Sequence, residues 1–171
     1  MVISGDVVVI EIEKQFHGFM EIALEEAEKA RKMAEVPIGA VLVDHSQKII
    51  ARGANQPVSR CDPTAHAEMI VLRKAARIVE NYRLLSTTLY VTVEPCIMCM
   101  GALIHARVAR IVFGASDLKW GAGGSLYDFT RDERLNHHPE IIGGVLEQQC
   151  RSMLVDFFKQ KRTRSEKSEI E

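Results

Sequence analysis

From Phe16 onwards apolar residues return every three or four positions, at Phe19, Ile22, Ala23, Ala27, Ala30 and Met33. That spacing predicts an amphipathic helix, with glutamates and lysines on its other face and Pro37 to stop it. Residues 1–15 carry no clear amphipathic pattern and read as an extension or an extra strand. Residues 39–44 are too apolar and β-branched for anything but a buried strand, and residues 49–54 return across a polar turn as the second arm of a hairpin. Two prolines punctuate residues 55–63, which read as a loop. Thr64 can cap the next helix, which runs through Glu68, Ile70, Val71, Leu72 and Ala75 towards Val79. Residues 88–93 form a strongly β-prone strand, and Pro95 then suits the first turn of a new helix. Beyond it come a strand at 111–114, a glycine-rich loop at 115–125, a short helix around 126–129 and a brief strand at 141–144. The last helix is predicted over 145–162, with Leu146, Cys150, Met153, Leu154, Phe157 and Phe158 facing inwards; the tail, 163–171, is polar and frays.

Strands that alternate with helices imply an α/β fold with a partly parallel sheet covered on both faces and right-handed crossovers. At 171 residues the chain suits one domain. There are no repeats, internal linkers or low-complexity tracts.

Composition narrows the function classes. A hydrophobic share of 47% and a charged share of 26% belong to an ordinary soluble globular protein. No apolar run approaches the roughly 20 residues that span a bilayer, and the start lacks the basic flank and cleavage site of a secretory signal. Of the 4 cysteines, two stand in a CxxC, which points to metal in a reducing cytoplasm rather than to disulfides. A net charge of −1 leaves nucleic acid to be met by a local patch.

The chemistry gathers at His66-Ala67-Glu68 and Pro95-Cys96-Ile97-Met98-Cys99. One imidazole and two thiols are three ligands suited to zinc, and three protein ligands leave a fourth position open for water. There zinc lowers the pKa of water from about 16 to about 7. Cys96 and Cys99 stand three apart on one face of a helix start, where the helix dipole and a metal both favour thiolates. Glu68 lies two residues past His66, about 200° round a helix, so the two serve one site only if the helix aims its N-terminus at the metal. A buried histidine with a chance CxxC is the bland alternative, and Glu68 would then be a first-turn acid favoured by the dipole.

His66-Ala67-Glu68 followed by Pro95-Cys96-x-x-Cys99 is the signature of zinc deaminases. From about Phe16 to Arg162 the chain resembles the bacterial tRNA-specific adenosine deaminases of the cytidine deaminase-like superfamily. The stretches that carry the resemblance include Glu35-Val36-Pro37-Ile38-Gly39-Ala40-Val41, Asp62-Pro63-Thr64-Ala65-His66-Ala67-Glu68 and Asn81-Tyr82-Arg83-Leu84. Gly121-Ala122-Gly123-Gly124-Ser125-Leu126, Leu135-Asn136-His137 and Asp156-Phe157-Phe158 add to them. The resemblance implies a three-layer α-β-α domain over 16–162 with a mixed, mostly parallel five-stranded sheet. It implies one zinc per chain and hydrolysis of adenosine to inosine at the wobble position of a tRNA anticodon. A cytoplasmic homodimer acting on the anticodon stem-loop of an arginine tRNA is the expected form.

By the same resemblance His66, Cys96 and Cys99 hold zinc, and Glu68 moves protons between water, the ring nitrogen and the leaving amine. Asn55 bonds the flipped base, although it also suits a turn before Gln56-Pro57. Val36 and Pro37 form apolar pocket walls or ordinary packing. The backbones of Ala67 and Pro95 meet the reacting groups, and Asp117 and Lys119 meet the nucleotide backbone or are plain loop charges. Lys159, Lys161, Arg162 and Arg164 either neutralise phosphates or are the usual cations at a helix C-terminus. Cys61 is read as a loop thiol, because a fourth ligand would displace the water, and Cys150 as core. His105, His137 and His138 stay unassigned. The extension before Phe16, with Cys61 and Trp120 in loops near the site, departs from the family pattern and can alter substrate contacts. Apolar residues Met98, Met100, Leu103 and Ile104 suggest surface for a partner, or a helix buried within the chain. A free-base or nucleotide deaminase of guanine or cytosine type is the alternative function; a zinc-stabilised RNA-binding module without activity is the third, which Glu68 and the open position oppose.

Overall fold

The computed structural model describes residues 5–168, with side chains described over 16–163. In chain order the elements are α1 (Gly5–Lys32), β1 (Gly39–Val43), β2 (Ile49–Ala54), α2 (Pro57–Arg60), α3 (Ala67–Ile78), β3 (Thr88–Val93), α4 (Ile97–His105), β4 (Arg110–Ala115), β5 (Glu140–Ile142) and α5 (Glu147–Ser168). The strands form one sheet in the order β2-β1-β3-β4-β5. β1 runs antiparallel to both of its neighbours, whereas β3, β4 and β5 pair in parallel. All strands but β1 therefore point the same way, which makes the sheet mixed and mostly parallel.

Alternation along the strands sorts side chains onto two faces. Leu42, Leu89, Val91 and Ile111 pack with Val71, Leu72 and Ala75 of α3 and Met100, Leu103 and Ile104 of α4. On the other face Val41, Val43, Tyr90 and Val112 pack with Met20 and Ala23 of α1 and Cys150 of α5. These are the three layers that the resemblance implies. α1 lies very close to β1: a Cβ on Gly39 would stand 2.1 Å from the Ala23 carbonyl oxygen, so only glycine permits this approach. Phe19 adds an aromatic contact to the sheet, its ring centroid 5.1 Å from that of Tyr90.

Several local expectations change in the folded chain. The first helix begins at Gly5, not near Phe16, and residues 1–4 lie outside the described residues. β-branched residues at 7–10 weaken the helical signal, but an established helix gains one hydrogen bond for each residue added. Thr64 does not cap α3; its hydroxyl and amide both donate to Asp62 Oδ1, and the helix starts at Ala67 with His66 as N-cap. Residues 57–60 of the expected loop make the single turn of α2, whose Val58 and Ser59 amides donate to the buried Glu35 carboxylate at 3.2 and 2.6 Å. No helix forms at 126–129, because the chain there turns back and pairs Gly123 with Asp128. Phe158 is exposed and meets Phe157 edge-on, while Phe157 is buried.

Met100, Leu103 and Ile104 are consumed by the chain's own core, which removes most of the apolar surface that α4 was expected to offer a partner. α5 continues to Ser168, so Lys159, Lys161 and Arg162 stand along its length rather than in its last turn. The side chain of Arg164 lies outside the described residues. Among the described residues no helix is long and apolar enough to cross a membrane.

Candidate active site

β3 ends at Val93, and Glu94-Pro95 turns the chain into α4, while the loop 55–66 leads from β2 into α3. The N-termini of α3 and α4 thereby meet beyond the carboxyl end of β3, where open α/β sheets bind ligands. His66 is the N-cap of α3 and Cys96 the N-cap of α4; both have extended backbones and neither side chain caps its helix. Such positions usually hold Ser, Thr, Asp or Asn bonded to the first turn. Here the side chains are left for one another.

The donor atoms of His66, Cys96 and Cys99 all lie within 4.8 Å of one another. His66 Nδ1 is 3.7 Å from Cys96 Sγ and 3.5 Å from Cys99 Sγ. A tetrahedral zinc with ordinary Zn–N and Zn–S bonds requires an N–S edge of about 3.6 Å, so the three residues fit that metal. The Cys99 thiol donates to Cys96, and this bond, followed by one with His66, pulls the Cys96 thiol down to about 4. The same Cys96 contact raises His66 above the usual imidazole range. A divalent cation would be held by both sulfurs as thiolates, with any remaining thiol proton released on binding.

Glu68 lies in the first turn of α3 and lines one cavity with His66 and Cys96. The cavity measures about 640 Å³, and Ile38, Pro63, Ile97 and Met98 give it apolar walls. Burial pushes the Glu68 carboxyl up to about 7.

The expected substrate contacts occupy varied positions. Asn55 is buried at the end of β2; its backbone N–H donates to the Ile38 carbonyl, and its side-chain Oδ1 has no hydrogen-bond partner among the described residues. A buried acceptor without a partner is costly unless a ligand supplies the donor. Pro37 is buried and Val36 half-buried, but Ile38 is the residue of this stretch that lines the cavity. Ala67 is buried at the start of α3, and the Pro95 carbonyl accepts from the Ala122 amide at 2.9 Å. Asp117 lines the cavity, and its Oδ1 accepts from the Lys119 and Trp120 amides; Lys119 itself is exposed. Cys61 is exposed, while His137 and His138 donate to the carbonyls of Val108 and Thr130.

Sequence reasoning passed over Glu94. Its carboxylate is buried and accepts from the amides of Asp117, Gly123 and Ser125 at 3.0, 2.9 and 3.0 Å, and from the Ser125 hydroxyl. It also lines the cavity. A Cβ on Gly121 would stand 2.5 Å from this carboxylate, so the loop closes round it only with glycine there. The one available signal was an acid at the end of an apolar strand, since the glycine-rich loop it holds comes only after the next strand, β4.

The sequence profile described as the cytidine and deoxycytidylate deaminase zinc-binding region matches residues 13–115. The chain is similar to a tRNA-specific adenosine deaminase of Haemophilus influenzae, 52% identical over 143 residues, which cover 84% of this chain and 83% of that protein. A tRNA-specific adenosine deaminase of Bacillus subtilis is 46% identical over 84% of this chain and 89% of its own length. A structure solved in studies of A-to-I editing by tRNA:A34 deaminases at the wobble position superposes with a TM-score of 0.77 at 42% identity, covering 80% of this chain and 99% of that one. With its zinc-type donor set and its likeness in sequence and fold across most of its length, the chain belongs to the zinc-dependent cytidine and deoxycytidylate deaminase family, among the tRNA-specific adenosine deaminases.

Proposed function

We propose that this chain hydrolyses adenosine to inosine and ammonia at the wobble position of a tRNA anticodon. The reading is carried by one observation: the zinc-type donor set and a buried, non-ligating carboxylate share a single cavity in a chain akin to tRNA deaminases. Zinc held by His66, Cys96 and Cys99 supplies the Lewis acidity that makes water nucleophilic at neutral pH.

The protein's own groups do the rest. Glu68, poised near neutrality by burial, takes a proton from the water that attacks C6 of the base and returns protons to N1 and to the departing amine. Asn55, whose buried side chain keeps an unpartnered Oδ1, hydrogen-bonds the flipped base. The backbones of Ala67 and Pro95 lie beside the reacting groups, and Val36 and Pro37 back the pocket wall that Ile38 forms. Asp117 and Lys119 meet the nucleotide backbone. Apolar walls exclude bulk water and hold the flipped base by contact.

The unit that does this spans 16–162, flanked by 1–15 and 163–171. It works in the cytoplasm as a homodimer on an arginine tRNA. A half-exposed face of α4 supports the dimer: Ile97, Met98, Gly101 and Ala102 are only partly buried, Ile97 and Ala102 against the chain's own core, and a Cβ on Gly101 would meet nothing within 4 Å. Light scattering should give twice the 19.2 kDa chain mass; a monomer at micromolar concentration would remove the dimer.

The deciding experiment measures inosine formed on an anticodon stem-loop beside free adenosine, cytidine and guanine. The stem-loop should be deaminated with far the higher kcat/KM. Equal efficiency on a free base or nucleoside would replace the tRNA reading with that of a small-molecule deaminase.

A further inference from the structure

Trp120 is the chain's 1 tryptophan, and 63% of its surface is exposed although it lines the cavity that holds His66, Glu68 and Cys96. A large aromatic ring left in water at a cavity mouth forgoes the stabilisation that burial brings. Its backbone, in contrast, is fastened at several points. The Trp120 amide donates to Asp117 Oδ1 at 3.2 Å, and the Gly121 amide to the Asp117 carbonyl at 2.9 Å. Gly121 bridges to Cys96, Ala122 donates to the Pro95 carbonyl, and Glu94 holds Asp117, Gly123 and Ser125. The ring is thus carried on a rigid mount tied to the residue next to the metal site. Lys119, exposed, stands beside it in sequence, and an aromatic plane next to a cation is the pairing that binds bases and phosphates of single strands.

We infer that Trp120 is a stacking platform for a nucleobase next to the reacting one, so that the enzyme grips an unpaired RNA loop by two adjacent bases. One base enters the cavity, and its neighbour lies on the indole at the rim. The inference rests on the tRNA deaminase reading and deepens it. Because the mount is already ordered, stacking costs little loop entropy, and the contact acts on binding rather than on the proton transfers. Base–aromatic stacking of this kind changes affinity by about 5- to 150-fold when the ring is removed.

The test compares Trp120→Ala and Trp120→Phe with the unaltered zinc enzyme on three stem-loops: the intact one, and two with an abasic site on one or the other side of the target adenosine. Zinc content and circular dichroism should be unchanged, since the side chain is mostly in water. On the intact stem-loop Trp120→Ala should raise KM on the order of tenfold with kcat within about twofold, and Trp120→Phe should recover most of the loss. On one of the abasic stem-loops the unaltered enzyme should show a similar KM rise, and Trp120→Ala should add nothing, because the partner base is gone. A Trp120→Ala penalty that persists on both abasic stem-loops, or no penalty on the intact one, would overturn the stacking role while leaving the deaminase reading in place. Failure of the unaltered enzyme to form inosine on the intact stem-loop would overturn both.

Discussion

At His66 and Cys96 two helix N-caps hold side chains that reach each other instead of their helices, and Cys99 in the first turn of α4 closes the triangle. With three donors the loss of one is severe, because two ligands rarely retain zinc and a serine oxygen is a poor substitute for a thiolate. Cys96→Ser is therefore expected to bind well below one zinc per chain and to lose activity, as elemental analysis of the purified protein will show. Glu68 presents the opposite case, a carboxylate in the same cavity that is outside the donor set. Glu68→Ala should keep its zinc and its fold but lose a factor of about 10²–10⁴ in kcat, the usual contribution of a general acid–base group. More than a tenth of the normal rate in a fully zinc-loaded Glu68→Ala protein would refute the proton-transfer role.

Among the elements, the glycine-rich loop after β4 depends most on a single side chain. Four donors from Asp117, Gly123 and Ser125 converge on the Glu94 carboxylate at the end of β3. Removing that acceptor leaves partly buried N–H groups unsatisfied, each at a cost of about 1–3 kcal/mol before the loop relaxes towards water. Glu94→Ala should lower stability by about 3 kcal/mol and loosen the rim that carries Asp117, Lys119 and Trp120. Denaturant titration measures this directly, and a loss below about 0.5 kcal/mol would mean that the loop is held by other contacts.

For the molecule as a whole, a net charge of −1 supplies no overall electrostatic pull on RNA. Binding is left to a few cations, of which Lys119 at the loop and Arg162 along α5 are exposed. Affinity for the anticodon stem-loop should fall with added salt, with a shallow log–log slope equivalent to about two to four released counterions. A slope near zero would leave base contacts alone to bind the loop, and a slope several times steeper would mean that many more cations than these meet the phosphates. The sheet sets the larger frame, because parallel β3 and β4 direct both the metal-binding helix start and the Glu94-bound loop to the same edge.

Much of this was legible along the chain. Continuous apolar, β-branched runs marked the central strands, which are buried on both faces, period-3.6 patterns marked the long helices, and the HxE and PCxxC spacings named the donors of a zinc deaminase. Local patterns also misled where several local outcomes were nearly equal in energy. Thr64 bonded Asp62 instead of capping α3, and the β-branched run at 7–10 was carried into α1 by the helix already formed behind it. What only the tertiary structure decided was which distant groups meet. Glu94 and Gly123 are 29 residues apart, and nothing beside the carboxylate in sequence marks which loop it organises. Cys96 and His66 are 30 apart, and their 3.7 Å approach follows from the sheet order that brings two helix N-termini together. Periodicity reports which face of an element is buried; what it is buried against depends on contacts whose energy exists only once the chain has closed on itself.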